Sequence, residues 1–266
     1  LNGRMEIMQN KLTHLMRIIP ELAKQEIMSR FNQVGVSFKD DGSLVTDADL
    51  AMQQAVTKEL GKRWPECHLL GEEMTADHQQ SLLESKNQGL WILDPLDGTT
   101  NFSSGIPIFS VSLALVVNGE VRLGLIYDPV RDECFSAFKD QGAWLNGKRL
   151  KLNGSASRDI RQCVTQVDFK RLPEELAMRL AGEHPFASQR NFGSGALDWC
   201  WLAANRSQLY VHGGQKLWDH AAGHLILLEA GGCACDFSGN EQFKLSLQPQ
   251  SVLAATNRNQ FKQFLD

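Results

Sequence analysis

No stretch of this sequence approaches the ~20 consecutive apolar residues that a membrane-spanning helix needs. Residues 1–20 mix Asn, Arg, Glu, Gln, Lys and His with their apolar residues, so they contain neither the apolar core of a secretory signal nor a cleavage site. The six cysteines (Cys67, Cys134, Cys163, Cys200, Cys233 and Cys235) form no C-x-x-C pair, which argues against a zinc or redox motif. Cys233 and Cys235 are the one close couple, in a β-like stretch, and buried free thiols are expected rather than disulfides. The histidines show no metal-ligand spacing apart from His220 and His224, which share one side of an apolar helix and read as structural. No block of like charge occurs: 27 Lys+Arg stand against 31 Asp+Glu, a net charge of −4. A nucleic-acid-binding surface is therefore not expected. There is no linker, no internal repeat and no Ser-His-Asp or Cys-His nucleophile order. The expectation is a soluble, reduced, cytoplasmic protein, with Met5 a candidate native start.

What is present is 266 residues, 42% of them hydrophobic, enough for one domain over 1–266 built from two intimate halves of about 1–152 and 153–266. Helical spacing runs over residues 5–31, with Pro20 expected to kink or interrupt it. A polar loop over 36–49 leads to a second amphipathic helix that Trp64-Pro65 ends. His68-Leu69-Leu70 reads as a strand delivering Gly71-Glu72-Glu73, and a polar segment covers 75–88. Over 109–145 four β-like runs are separated by Asn118-Gly119, Asp128-Pro129 and Gln141-Gly142, and Asn146-Gly147 follows the last, the pattern of an antiparallel meander. The second half reads as strand 163–169, helix 174–182, helix 196–205, strand 209–211, helix 220–230, strands 233–237 and 252–255, and a terminal helix. Gly231-Gly232 suit the end of the long helix.

The chemistry concentrates after the apolar run Leu90-Trp91-Ile92-Leu93. Asp94 and Asp97 bracket Pro95, which has no N–H for a ladder and fixes its own φ, so the strand is expected to stop there. Gly98 permits a tight bend, and the following N–H groups point outward. Two carboxylates beside free N–H donors can hold a divalent cation next to a phosphate. Alone, Asp-Pro and Asp-Gly would also make an ordinary turn. Glu72 and Asp219 likewise sit at element edges, Asp219 as a candidate N-cap of the helix from His220. If Glu72, Asp94, Asp97 and Asp219 converge, each close pair costs several kcal/mol at intermediate dielectric unless protons or cations are bound. An all-oxygen set without His or Cys favours Mg²⁺.

These motifs occur together in order: Gly71-Glu72-Glu73, then Leu93-Asp94-Pro95-Leu96-Asp97-Gly98-Thr99-Thr100-Asn101-Phe102, then Gly193 to Ala196, then Trp218-Asp219-His220-Ala221-Ala222-Gly223 and Glu229-Ala230-Gly231-Gly232. The set resembles the inositol monophosphatase family, the Mg²⁺-dependent, lithium-sensitive branch of sugar and nucleotide phosphatases, over nearly the whole chain. The resemblance implies an α/β fold of the α+β type, the layered αβαβα sandwich shared with fructose-1,6-bisphosphatase, often dimeric. It maps Glu72, Asp94, the carbonyl of Leu96, Asp97 and Asp219 onto ligands for two or three Mg²⁺ ions. Thr99 and Glu72 map onto the pair that orients and deprotonates an attacking water, with Asp49 supporting them and no phospho-enzyme formed. The Gly98 and Thr99 N–H groups map onto phosphate donors, Asp97 and Asp219 also face the substrate, and Gly193, Ser194 and Gly195 wall its alcohol portion.

Two positions depart from the family pattern. Inositol-selective members carry a Glu where this chain has His212, and the loop bearing Lys39 differs in length. The function implied is hydrolysis of a small phosphorylated alcohol such as an inositol monophosphate, by a soluble homodimer without membrane or nucleic-acid partners. A 3′(2′),5′-bisphosphate nucleotidase or sugar-bisphosphate phosphatase is the alternative within the class, and a non-catalytic regulatory protein on the same fold is the alternative outside it.

Overall fold

The computed structural model describes residues 2–33, 36–38, 44–85, 88–152 and 159–265. Lys39 lies outside the described residues. The strands are β1 (Val36–Phe38), β2 (Leu44–Thr46), β3 (His68–Gly71), β4 (Leu90–Asp97), β5 (Ser110–Val117), β6 (Glu120–Asp128), β7 (Glu133–Phe138), β8 (Gly142–Leu145), β9 (Lys148–Leu150), β10 (Val164–Asp168), β11 (Ser188–Arg190), β12 (Leu209–Gln215), β13 (Cys233–Cys235) and β14 (Gln250–Ala255). The α-helices are α1 (Asn2–Ala23), α2 (Asp47–Arg63), α3 (Ala76–Glu84), α4 (Thr99–Ser103), α5 (Glu174–Glu183), α6 (Gly195–Ala203), α7 (Leu217–Ala230) and α8 (Arg258–Leu265).

Two sheets carry the architecture. The larger has the order β3-β4-β5-β6-β7-β8-β9, with β3 and β4 parallel and every later pair antiparallel, so the meander stands as expected. The smaller has the order β11-β10-β12-β14-β13 and is mixed.

Side-chain alternation along the strands builds the layers. In β4, Trp91 and Leu93 join a core with Leu15, Ile19 and Ile27 of the first helical segment and Met52 and Val56 of α2, whereas Leu90 and Ile92 face Leu197, Trp199, Leu225 and Ile226 of α6 and α7. In β12, Tyr210 faces that same central helical layer, while Leu209 and Val211 face away to a third core with Leu180 of α5 and Phe261 of α8. The stacking is helix, sheet, helix, sheet, helix, which is the αβαβα sandwich.

Several elements differ from the sequence expectation. Pro20 does not interrupt α1; the helix continues to Ala23 and widens into a π-type turn over Lys24–Met28, because Ile19, Ala23 and Ile27 stay packed in the core across the proline. The loop over 36–49 contains the β1–β2 hairpin, and its last residues already belong to α2. The polar segment 75–88 contains α3, whose Thr75 hydroxyl caps its start. β4 does not stop at Pro95: it runs to Asp97 with a register shift between Asp94 and Asp97, a bulge that accommodates the residue without an N–H.

α6 and α7 cross at very short range. A Cβ added to Gly223 would stand 2.4 Å from Trp199 Cβ, an atom that no rotamer change moves, and 2.5 Å from its Cγ. Gly223→Ala is expected to destabilise the protein by about 2–3 kcal/mol or more, as overpacking does in cores. Urea unfolding of the purified variant measures this, and an unchanged midpoint would mean the two helices separate at little cost.

Candidate metal and active site

β4 delivers the centre of the site. The alternation that turns Leu90 and Ile92 toward α6 and α7 carries Asp94 onto the same side, and the bulge brings Asp97 there as well. From the opposite wall, α7 begins at Leu217 and not at His220, so Asp219 lies within its first turn rather than capping it. Its carboxylate accepts the Lys216 N–H at 3.0 Å. One ligand oxygen from each of Asp94, Asp97 and Asp219 lies within 4.8 Å of the others. Glu72 follows β3 with its N–H on the Leu93 carbonyl at 3.1 Å, and its negative charge acts on both Asp94 and Asp219. Glu72 thus stands beside the trio without being one of the three in mutual reach.

The electrostatics follow from the crowding. Burial first, and then the charges of Glu72, Asp97, Asp219 and Asp49, push the Asp94 carboxyl well above its ordinary value. Burial, followed by Asp97 and Glu72, does the same to Asp219. Asp97 is raised by burial even though Ser194 Oγ donates to it at 2.5 Å and the N–H groups of Ala196 and Gly195 at 2.7 and 3.3 Å. Asp97 thereby occupies the N-terminus of α6, where the helix dipole favours an anion. The result is a buried cluster of crowded carboxylates, and that all-oxygen donor set fits Mg²⁺.

Beside it, Thr99 Oγ1 lies 3.1 Å from Asp49 Oδ1 and 3.0 Å from the Leu96 carbonyl. Asp49 is fully buried; its Oδ2 accepts the N–H of Thr46 at 2.8 Å and the Thr46 hydroxyl at 2.5 Å. Burial raises its pKa against those hydrogen bonds. Asp49 therefore both closes the capping box of α2 and supports Thr99. Leu96 N–H donates to Asp94 Oδ1 at 3.0 Å, which orders the bulge.

Gly98 adopts φ 97° and Gly193 φ 76°, and the two loops pack together: a Cβ on Gly98 would meet the Gly193 carbonyl at 3.3 Å. Asn101 ties them, its Nδ2 donating to Ile108 O at 2.8 Å and to Phe192 O at 2.7 Å. Gly98 precedes α4, whose first N–H groups have no intrahelical acceptor. Gly193, Ser194 and Gly195 thus stand against the carboxylates through Asp97. His212 lies on β12, its Nδ1 accepting the Gly214 N–H at 3.0 Å and its Nε2 3.3 Å from Asp168 Oδ2.

Sequence reasoning did not single out the Ser194 hydroxyl as a donor to Asp97, nor Asn101 as the tie between loops, nor Asp168 beside His212. Asn101 lies inside the motif and carried a signal; Ser194 is set by where α6 begins against β4, and Asp168 by the pairing of β10 with β12. All six cysteines are free thiols, as expected, with Cys67 alone not fully buried.

The model of the inositol monophosphatase family matches residues 8–265. The chain belongs to the inositol monophosphatase family. Members of the family are generally Mg²⁺-dependent. Among its relatives is the Nus factor SuhB of Pasteurella multocida, 38% identical over 223 residues that cover 82% of this chain and 80% of that protein. Among solved structures, the Thermotoga maritima IMPase is 32% identical and superposes with a TM-score of 0.79 over 93% of this chain and 92% of its own. The extragenic suppressor protein suhB of Bartonella henselae is 29% identical, with a TM-score of 0.77 over 97% of this family member and 96% of its own length. No α-helix among the described residues is long and apolar enough to cross a membrane.

Proposed function

We propose that this chain is a Mg²⁺-dependent phosphomonoesterase that hydrolyses a small phosphorylated alcohol, such as an inositol monophosphate or another sugar or nucleotide phosphate. The observation that carries it is the convergence of Asp94, Asp97 and Asp219 beside the Thr99–Asp49 hydrogen bond. Asp94, Asp97 and Asp219, with Glu72 beside them and the Leu96 carbonyl, would hold two or three Mg²⁺ ions. The ions would polarise the phosphate and make water a nucleophile near neutral pH. Thr99 and Glu72 would orient that water and take up its proton, Asp49 would support them through its hydrogen bond to Thr99, and the N–H groups of Gly98 and Thr99 would hold the phosphate. Gly193, Ser194, Gly195 and His212 wall the alcohol portion. Residues 1–266 act as one domain, because the first half supplies Asp49, Glu72, Asp94 and Asp97 and the second supplies Asp219. The setting we infer is a cytoplasmic homodimer.

The test is phosphate release from a panel of phosphomonoesters. Activity is expected only with Mg²⁺, abolished by chelation, and suppressed by millimolar Li⁺, which competes where a small hard cation binds weakly. Turnover indifferent to Mg²⁺ would overturn the assignment, and turnover indifferent to Li⁺ would place one metal site outside the family pattern. The name Nus factor borne by the Pasteurella relative favours a second reading, a non-catalytic regulatory role on the same fold. Failure of every ester in the panel would favour it.

A further inference from the structure

β12 carries an extra residue near its end. Its pairing with β14 passes from His212 opposite Val252 to Gln215 opposite Gln250, three steps against two. One extra residue reverses which face the following side chains take. Gln215 therefore falls on the face of Tyr210, which looks into the central helical layer, and it is fully buried there. Its amide is committed at both ends: Trp199 Nε1 donates to Gln215 Oε1 at 2.9 Å, and Gln215 Nε2 donates to the Tyr210 hydroxyl at 2.7 Å. The Trp199 and Tyr210 rings meet edge to face, with centroids 5.7 Å apart. A buried amide costs free energy unless its hydrogen bonds are made, so this one keeps a single placement where an apolar side chain of similar size could slide.

That placement lies between two arms of the carboxylate cluster. Trp199 stands one turn beyond Gly195 on the same face of α6. A Cβ on Gly195 would stand 2.8 Å from Gln215 Nε2 and 3.7 Å from Asp219 Cβ, so the amide and the base of Asp219 both close on the start of this helix. Gly195 and Ala196 are the residues whose N–H groups hold Asp97, at 3.3 and 2.7 Å. On its other side Gln215 ends β12, and the chain passes at once into α7, whose first turn carries Asp219. The amide is thus wedged between the donors that hold Asp97 and the backbone that carries Asp219.

We propose that Gln215 is a positioning residue for the metal cluster: through its bonds to Trp199 and Tyr210 it sets the separation of Asp97 from Asp219, and with it the affinity for Mg²⁺. This rests on the Mg²⁺ site proposed above and deepens it. Both heteroatoms of the amide are occupied within the protein, so Gln215 acts through Gly195 and Asp219 and not as a ligand. Mg²⁺ demands near-octahedral oxygens at about 2.0–2.1 Å, so a small change in the distance between two carboxylates on different elements is felt as lost affinity.

The experiment titrates Mg²⁺ alone into wild type, Q215L and Y210F in a calorimeter, and melts the same samples in chelator. In Q215L the Kd for Mg²⁺ is expected to rise about 10- to 100-fold, the range for groups that orient metal ligands without touching the ion. Y210F deletes one hydrogen bond and keeps the ring, and its Kd should rise about fivefold. Assayed on a good ester, Q215L should need correspondingly more Mg²⁺ for half-maximal rate, yet reach within about threefold of the wild-type kcat at saturating Mg²⁺. An amide that only supports the fold would lower Tm in chelator and leave the Kd of the folded protein where it was. A wild-type Kd in Q215L overturns the proposal; should Q215L fail to fold, a wild-type Kd in Y210F overturns it. If wild type binds no Mg²⁺, the cation site and the role of Gln215 fall together. If it binds Mg²⁺ and hydrolyses no ester, the phosphatase function alone fails, and the Kd values still decide the role of Gln215.

Discussion

Replacing Asp94 by Asn is expected to stabilise the metal-free protein and, in one step, to remove the phosphate release proposed for it. Asp94 is 2% exposed, and no donor offsets its burial among the leading influences on its carboxyl: burial, Glu72, Asp97, Asp219 and Asp49 all raise it. A carboxyl whose folded pKa lies above its unfolded one contributes stability below the unfolded value. That contribution is lost as pH rises through the folded value. At neutral pH the wild-type group therefore works against the metal-free fold, and an amide removes this dependence while its Oδ1 can still accept the Leu96 N–H. A gain of about 1–2 kcal/mol would raise the metal-free Tm by roughly 3–6 °C. With Mg²⁺ the order should reverse, because a cation at 100 times its Kd adds about 2.7 kcal/mol to a protein that binds it and nothing to one that does not. Activity should drop at least about 10³-fold, equivalent to roughly 4 kcal/mol of transition-state stabilisation. Thermal melts in chelator and in Mg²⁺, with phosphate release on the same samples, check all three. A variant that melts below wild type in chelator would show that mutual repulsion does not govern this cluster.

Asp97 does not behave as an equivalent carboxylate, although the two flank the same proline. Its oxygens accept the Ser194 hydroxyl and the N–H groups of Gly195 and Ala196, so an amide there would turn a donor toward donors at the start of α6. Asp97 thus joins helix capping to the site chemistry, and this was not legible in the motif. The motif itself was legible because Asp94, Leu96, Asp97, Gly98 and Thr99 fall within six consecutive residues, from the end of β4 to the start of α4. Asp219 was legible as a partner only through the family resemblance, since a lone Asp before an apolar helix reads equally as a cap.

The misread elements share a cause. Over 75–88 no apolar period marks α3, because its buried contact is made by Gln79, whose amide donates to the carbonyls of Gly71 and Glu72. Pro95 argued for a strand end because it lacks an N–H, and the bulge satisfies that constraint without ending β4. Pro20 argued for a break in α1, and packing of Ile19 and Ala23 against the large sheet overrides the missing hydrogen bond.

Removing the Thr99 hydroxyl is expected to lower kcat about 10²-fold while leaving KM within about threefold, the signature of a group needed for proton transfer rather than for binding. Its single proton faces two acceptors, Asp49 Oδ1 at 3.1 Å and the Leu96 carbonyl at 3.0 Å. When the proton points to Asp49, the oxygen lone pairs are free to accept from a water beside the carboxylate trio, which sets up transfer through the hydroxyl to a carboxylate. Asp49 is suited to receive it, because burial raises its pKa while Thr46 fixes its other oxygen. Thr99→Val keeps the shape and deletes the hydroxyl, and Thr99→Ser restores the hydroxyl and deletes a methyl. The valine variant should lose about 1 kcal/mol of stability by leaving Asp49 Oδ1 without its donor, a loss small enough to leave the fold intact at assay temperature. The serine variant should recover most of the rate, within about fivefold of wild type on the same scale. Steady-state kinetics on one good ester at saturating Mg²⁺, with Thr99→Val and Thr99→Ser side by side, decide between relay and packing. If the valine variant turns over like wild type, the hydroxyl moves no proton and Asp49 serves only to cap α2.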